Sequence, residues 1–340
     1  MKLIIQIPCF NEAATLSVAL AELPRTVRGF DEVEWLVVND GSTDDTVGAA
    51  LRWGVDHVVS FKRNLGLARA YMAGLRASLE LGADVIVNTD ADNQYCAADI
   101  PLLVAPIVEG KADIVVGARP IGAIRHFSVL KKVLQWLGSA VVRGVSGTSV
   151  EDAPSGFRAV SRDAAMRLHV FNEYTYTLET IIQAGRKNMV VASVPVRVNK
   201  DIRPSRLVKS IPSYIKKSVF TMLRIFVVYR PFRFFIAMGG TVFAAGVVLG
   251  LRFLALLALG SGGGHVQSLI LASILLGIGF QTILTAFLAD LLAVNRTLLE
   301  EIEYHTLKKA NPRFQGSTGS AKRSGVRATV RKQPQNRKKP

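Results

Sequence analysis

Two stretches toward the C-terminal end stay uncharged for long enough to cross a bilayer, and this constrains the chain more than any other feature. Phe234–Leu251 is 18 residues without a charge, the apolar run resumes after Arg252 as far as Leu259, and Val266–Ala289 is 24 more. At about 1.5 Å per helical residue, some 20 residues cross a hydrocarbon core of roughly 30 Å. Gly260-Ser261-Gly262-Gly263-Gly264-His265 between them reads as a turn. The two runs therefore predict a transmembrane helical hairpin over 232–295, with spans at about 232–257 and 266–292. The alternative, two buried helices of a soluble bundle, needs polar faces that these runs lack.

Charge gives the hairpin an orientation. The 340 residues hold 42 Lys plus Arg against 26 Asp plus Glu, a formal +16, and the excess is local. Residues 1–196 carry 19 basic and 21 acidic side chains, 197–233 carry 10 and one, and 306–340 carry 11 and none. The inter-helix turn has no Lys or Arg, so the basic flanks should both be cytoplasmic. The expectation is an integral membrane protein with residues 1–199 and both termini on the cytoplasmic side, in the inner or plasma membrane if the chain is bacterial. Within a basic juxtamembrane segment, 200–231, Tyr214–Tyr229 mixes Lys216, Lys217 and Arg224 with Ile215, Val219, Met222 and Phe226. That pattern predicts an amphipathic helix lying on the anionic leaflet. Residues 296–340 are expected to form a basic, disordered tail. The near-neutral body argues against a nucleic-acid-binding core. Two cysteines, Cys9 and Cys96, are too few for a disulfide framework or a four-cysteine zinc site.

From Met1 to about Asn199 short β-branched runs alternate with helix-period stretches. Met1–Pro8 reads as a first buried strand, followed by Val33–Val38, His57–Phe61, Val85–Thr89, Asp113–Gly117 and Val190–Val198. Thr15–Leu23, Gly66–Leu81, Ala98–Glu109 and His126–Val145 have helical periodicity. This alternation predicts an α/β domain, 1–199, with a mostly parallel sheet covered on both faces. Ligands of such sheets sit at the carboxyl ends of the strands.

The residues at those ends carry the chemistry. After the fourth strand come Asp90-Ala91-Asp92-Asn93-Gln94, two carboxylates one small residue apart, which suit Mg²⁺ or Mn²⁺ together with substrate phosphates. A capped turn leading into the next helix is the alternative, with Asp99 at the helix start. The second strand ends in Asn39-Asp40-Gly41-Ser42-Thr43-Asp44, a polar turn that could bind a base or ribose hydroxyl, or simply cap the helix that follows. The first strand ends in Pro8-Cys9-Phe10-Asn11-Glu12, which sets an aromatic ring beside an acid. No Gly-x-Gly-x-x-Gly follows it, so a dinucleotide-binding reading fails. A Walker lysine motif and a Gly-x-Ser-x-Gly elbow are also missing.

Ile7-Pro8-Cys9-Phe10-Asn11-Glu12, Asn39-Asp40-Gly41-Ser42-Thr43-Asp44, Asn64-x-Gly66 with Ala70 and Gly74, Asp90-Ala91-Asp92 and Ser155-Gly156-Phe157-Arg158 together resemble family-2 glycosyltransferases of the GT-A fold. The two terminal spans and Arg203-Pro204-Ser205-Arg206 make the chain similar to polyprenyl-phosphate glycosyltransferases of the dolichyl-phosphate mannose synthase kind. The resemblance implies an enzyme that moves one sugar from a UDP- or GDP-linked donor to a polyprenyl phosphate at the cytoplasmic leaflet, with inversion, in cell-envelope glycan synthesis. By the same resemblance Pro8, Phe10, Glu12 and Asp40 would frame the nucleoside. Asp90, Asp92 and Gln94 would hold the divalent metal, Arg119 and Arg158 would lie near the phosphates, and Arg203 and Arg206 would complete the site. Cys9, Asn39 and Tyr95-Cys96-Ala97-Ala98 depart from the usual motifs. The implied partners are the nucleotide sugar, the lipid phosphate and the membrane, with no nucleic acid and self-association left open. A processive polysaccharide synthase is disfavoured, since no Gln-x-x-Arg-Trp occurs and two spans are few for a polymer channel. A non-catalytic nucleotide-binding scaffold would have no need of paired aspartates.

Overall fold

The computed structural model describes residues 1–120, 129–170, 176–199, 220, 224, 227–260 and 266–310. Arg203, Arg206, most of Tyr214–Tyr229, the inter-helix turn past Gly260 and the tail from residue 311 lie outside the described residues. The chain divides into two compact units, Met1–Ile215 with Glu303–Pro340, and Lys216–Ile302.

The first unit is built on a seven-stranded sheet. Its strands are β1 (Lys2–Cys9), β2 (Glu32–Asn39), β3 (His57–Ser60), β4 (Val85–Asn88), β5 (Ile114–Ala118), β6 (Arg158–Ser161) and β7 (Val191–Pro195), in the spatial order β3-β2-β1-β4-β6-β5-β7. β1 and β4 are nearly continuous apolar runs because both of their faces are covered: Leu3, Ile4, Ile5, Ile7, Val85, Ile86 and Val87 are all fully buried. The helices α1 (Leu16–Glu22), α2 (Thr46–Arg52), α3 (Leu67–Glu80), α4 (Ile100–Val108), α5 (Val129–Ser146), α6 (Arg162–Arg167) and α7 (Thr177–Arg186) connect the strands. α3 lies close on β1 because position 74 is glycine, where a Cβ would overlap the Gln6 amide.

β6 was not apparent from the sequence. It runs antiparallel to both β4 and β5 and separates them, so the sheet is mixed, as the GT-A expectation has it. Four residues with Arg at one end and Ser at the other give no period-2 signal.

The second unit contains α8 (Pro231–Ala258) and most of α9 (Val266–Ala310), whose apolar windows average hydropathies of 2.1 and 2.0. Both are long and apolar enough to cross a membrane. They pack as an antiparallel pair through glycines. A Cβ on Gly246 would come within 2.9 Å of the Leu276 nitrogen, one on Gly279 within 2.6 Å of the Phe243 nitrogen, and one on Gly239 within 3.0 Å of the Ile283 nitrogen. Each step along α8 is matched by an equal step back along α9, as small residues allow when backbones touch. The outer faces stay apolar, with Val248 65%, Ile278 53% and Leu288 62% exposed, which suits lipid.

The tail prediction needs correcting, because residues 296–310 continue α9 as helix. Arg296 pairs with Glu300 one turn on, at 2.9 Å. Within the first unit, Tyr304 donates to Asp163 at 2.7 Å and accepts from Arg167 at 3.2 Å, while Glu303 meets Arg76 at 3.0 Å. Sequence charge counting saw the basic residues that follow and not this anchor.

Candidate active site

From β1 the chain winds outward through β2 and β3, then returns across β1 to lay down β4. The winding reverses between β1 and β4, and open α/β sheets bind ligands outside the carboxyl ends of their strands at such a point. β1 and β4 remain paired as far as Gln6 opposite Asn88. Beyond that register Phe10–Glu12 and Asp90–Gln94 leave the sheet.

The β2 side is a set of interlocked loops. The Asp40 carboxylate is buried and accepts from the backbone N–H of Leu65 at 2.7 Å and of Gly66 at 2.9 Å. Burial raises its pKa, and those two donors oppose the shift. Gly41 has φ +68°, and a Cβ there would overlap the backbone of Arg63 and Asn64. Glycine is therefore required both by the conformation and by the close pass of the chain. Asn39 holds the same turn by accepting from Ser42 N–H at 2.9 Å. Asn11, at φ +55°, accepts from Thr43 N–H at 2.8 Å, and its own N–H donates to the Ser42 hydroxyl at 2.9 Å. The Glu12 carboxylate is buried and accepts from the Thr15 hydroxyl at 2.6 Å. Pro8 is buried within β1, whereas the Phe10 ring is 40% exposed.

The β4 side is arranged differently. Asp90 accepts no hydrogen bond from the described residues. Burial and the charge of Asp92 push its carboxyl well above the usual carboxylate range, with Arg119 and Arg158 acting in the opposite sense. Asp92 accepts from Gln94 N–H at 3.2 Å. A Cβ on Gly156 would come within 3.1 Å of both Asp90 oxygens, so glycine there leaves the carboxylate its space. The Gly156 loop is fixed from below. Asn88 donates to the Gly156 carbonyl and to the Tyr176 hydroxyl, both at 2.9 Å, and accepts from Gln6 at 2.9 Å. The Tyr95 hydroxyl accepts from Gly156 N–H at 3.0 Å while its ring stacks on Phe157.

Two arginines flank this loop and differ in availability. Arg119 makes a buried side-on pair with Asp152, through Nε at 2.7 Å and one terminal nitrogen at 3.0 Å. The far edge of its guanidinium keeps donors for an anion. Arg158 is wholly buried, and its guanidinium donates to the carbonyls of Thr177, Ala153 and Ser155 and to the Thr180 hydroxyl. It has no surface from which to touch a bound phosphate, so it acts on Asp90 only through its charge and by shaping the loop.

A divalent cation fits this donor set. Asp90, Asp92 and the Gln94 amide offer hard oxygens, and the Asp92 charge that makes ionisation of Asp90 costly would be offset by a cation between them. Among the described residues no group of three or more His, Cys, Asp or Glu converges. Substrate oxygens would therefore complete the coordination, as is usual for Mg²⁺.

The structure thus brings Phe10, Glu12, Asp40, Asp90, Asp92, Gln94 and Arg119 to one edge of the sheet, with Pro8 and Arg158 behind them. Sequence reasoning gave no bracing role to Asn88, Tyr95 or Tyr176, and weighed Asp152 as an acceptor-orienting residue or, more simply, a loop cap, rather than as the partner of Arg119. Asn88 was visible as a polar residue closing an apolar strand, but Tyr176 acts from 88 positions away and leaves no local signal.

A family model described as Glycosyl transferase family 2 matches residues 4–168. An undecaprenyl-phosphate mannosyltransferase of Micrococcus luteus is 30% identical over 218 residues, spanning 61% of this chain and 88% of that protein. A polyprenol monophosphomannose synthase of Mycolicibacterium smegmatis is 27% identical, spanning 56% of this chain and 74% of its own length. A UDP-N-acetylglucosamine–dolichyl-phosphate N-acetylglucosaminyltransferase of Methanococcus voltae is 27% identical, over 56% of this chain and 83% of that protein. Among solved structures, glucosyl-3-phosphoglycerate synthase of Mycobacterium tuberculosis, in complex with Mn²⁺, UDP and phosphoglyceric acid, superposes with a TM-score of 0.50 at 20% identity. That match covers 65% of this chain and 78% of the other, and shows a shared fold.

Proposed function

This chain belongs to glycosyltransferase family 2, and from that premise we propose that it transfers a single sugar from a nucleotide sugar to a polyprenyl phosphate at the cytoplasmic leaflet, with Mg²⁺ or Mn²⁺. The observation that carries the reading is the Asp90–Asp92 pair: two acids at the switch point of the sheet, both half-buried, with Asp90 accepting no hydrogen bond from the described residues. The sugar-lipid activities named for the three relatives support the acceptor class. The Mn²⁺ and UDP bound to the structural neighbour support the donor class and the metal. The basic flanks support cytoplasmic termini.

The bound cation would serve as Lewis acid on the diphosphate leaving group, held by Asp90, Asp92 and Gln94. Phe10, Glu12 and the loop braced by Asp40 would frame the nucleoside. The acceptor is a phosphomonoester with a second pKa near 6, largely ionised at neutral pH, so it needs orientation more than a strong base. Arg119 offers it the outer edge of a guanidinium already fixed by Asp152. Arg203 and Arg206 would add charge from the segment that starts at Asn199, whose N–H donates to the Gln94 carbonyl at 2.9 Å. Arg203 is four residues on, within about 14 Å of chain reach from that anchor.

The test is to incubate membranes containing the protein with a panel of UDP- and GDP-sugars, Mn²⁺ and undecaprenyl phosphate, then weigh the lipid product by mass spectrometry. A product heavier by one sugar supports the proposal. Long glycan, or no lipid product from any donor, contradicts it.

A further inference from the structure

Asp90–Gln94 and the start of the basic segment are bolted together by a small polar cluster to which no role has yet been given. The exit from β7 pairs antiparallel with the chain just past the acids, Val198 opposite Tyr95. Asn199 N–H donates to the Gln94 carbonyl at 2.9 Å, and Cys96 N–H to the Arg197 carbonyl at 3.3 Å. The Asn199 side-chain amide donates to the Asn93 carbonyl at 3.1 Å and to one Glu22 oxygen at 3.1 Å. The other Glu22 oxygen accepts from the Asn93 side chain at 3.0 Å. Glu22 on α1 is thus a carboxylate bridging two amides, one inside the acidic loop and one at the mouth of the basic segment. Asn93 sits at φ +57°, a left-handed conformation that asparagine tolerates better than most residues. Arg197, two residues before Asn199, pairs with Asp99 through its backbone N–H at 2.7 Å and its guanidinium at 2.6 Å. It therefore secures the junction through one edge of its guanidinium, while most of the side chain stays exposed.

We propose that Asn199 is a positioning residue, which with Glu22 and Asn93 holds the root of the basic segment in fixed register with the Asp90–Gln94 loop. A phosphate held by residues that follow Asn199 would then be tethered, through Asn199, to the loop that holds the donor diphosphate. This rests on the functional reading above, because only a two-substrate transfer gains from such a register. A loop required only to bind nucleotide would need no link to the segment beyond residue 199.

The test uses the full chain in nanodiscs and two measurements. In Asn199→Ala, amide hydrogen exchange over 90–99 and 194–199 should rise together, and kcat/KM for undecaprenyl phosphate should fall about ten- to a hundredfold, the scale of an ångström-level misplacement. Nucleotide affinity and thermal midpoint should stay close to wild type. Glu22→Gln turns an amide donor toward one of the two asparagines and should reproduce the exchange change. Glu22→Gln with Asn93→Asp exchanges donor and acceptor, and should restore both protection and turnover. Unchanged exchange and unchanged acceptor kcat/KM in Asn199→Ala overturn the proposal, as does a double variant no better than Glu22→Gln. If wild type transfers to no polyprenyl phosphate, the functional reading fails, and the exchange measurements still judge the register by themselves.

Discussion

Two aspartates end neighbouring regions of the same sheet, and the surroundings of each assign it different work. Asp40, after β2, has each carboxylate oxygen engaged by a backbone N–H. It is a strut for the loop that begins α3. Asp90, after β4, is only half-buried, accepts no hydrogen bond from the described residues and shares its space with a second acid. A partly desolvated carboxylate beside a second acid is costly to ionise unless a cation joins it. The same residue type at equivalent strand ends is structural in one region and chemical in the other. Partners, not position, decide which.

Substitutions should separate the two regions, beginning with the largest effect. Asp92→Ala should lower sugar transfer by at least about a hundredfold, the loss of several kcal/mol of transition-state stabilisation, while the melting curve followed by fluorescence stays in place. Loss of fold alongside activity would put Asp92 in the same class as Asp40. Asp152→Ala should leave the buried Arg119 unpaired, costing about 3–5 kcal/mol of stability in denaturant titrations together with activity. Asp40→Ala should cost about 2–3 kcal/mol, since two backbone donors lose their acceptor. Nucleotide binding should then fail because the loop is lost, and a stabilising osmolyte should recover part of it. The smallest effect concerns a third acid, one paired by side chains. His57 and Lys2 hold the Glu34 carboxyl down at about 2, the His57 hydrogen bond contributing most. A depressed folded-state pKa gives stability that is present above the usual carboxylate value and is lost as pH falls toward 2. About 1 kcal/mol should vanish across that window, allowing for partial exposure, and Glu34→Gln should flatten the slope.

The sequence disclosed the parts of the molecule that obey short periods. The strands β1 to β5, the helices α1 and α3 and the two long apolar helices are legible because each is a local pattern of apolar residues or a run without charge. The acids at the strand ends were legible because a polar cluster after an apolar strand has one place to go in a parallel sheet. β6 was not, since four residues flanked by Arg158 and Ser161 alternate too little, and its antiparallel place depends on pairing with strands far away in the chain. Roles were harder still to read than elements. Spacing marks Asp90 as one of a pair, yet nothing local tells that backbone donors hold Asp40, or that Arg158 spends its guanidinium on carbonyls while Arg119 spends one edge on Asp152. Those differences come from Leu65, Tyr176, Asp152 and Thr180, brought in by tertiary packing. The helical end of α9 was masked in the same way, because Tyr304 finds Asp163 across 141 positions.

Binding of Mn²⁺, followed by electron paramagnetic resonance on the purified chain with UDP or GDP present, tests the division between the two aspartates most directly. Wild type should immobilise one ion, more weakly as pH is lowered from neutrality because Asp90 must first lose its proton. Asp90→Asn and Asp92→Asn should each abolish that signal, with the fold intact by fluorescence. Undiminished Mn²⁺ binding in both variants would contradict the assignment of the acid pair.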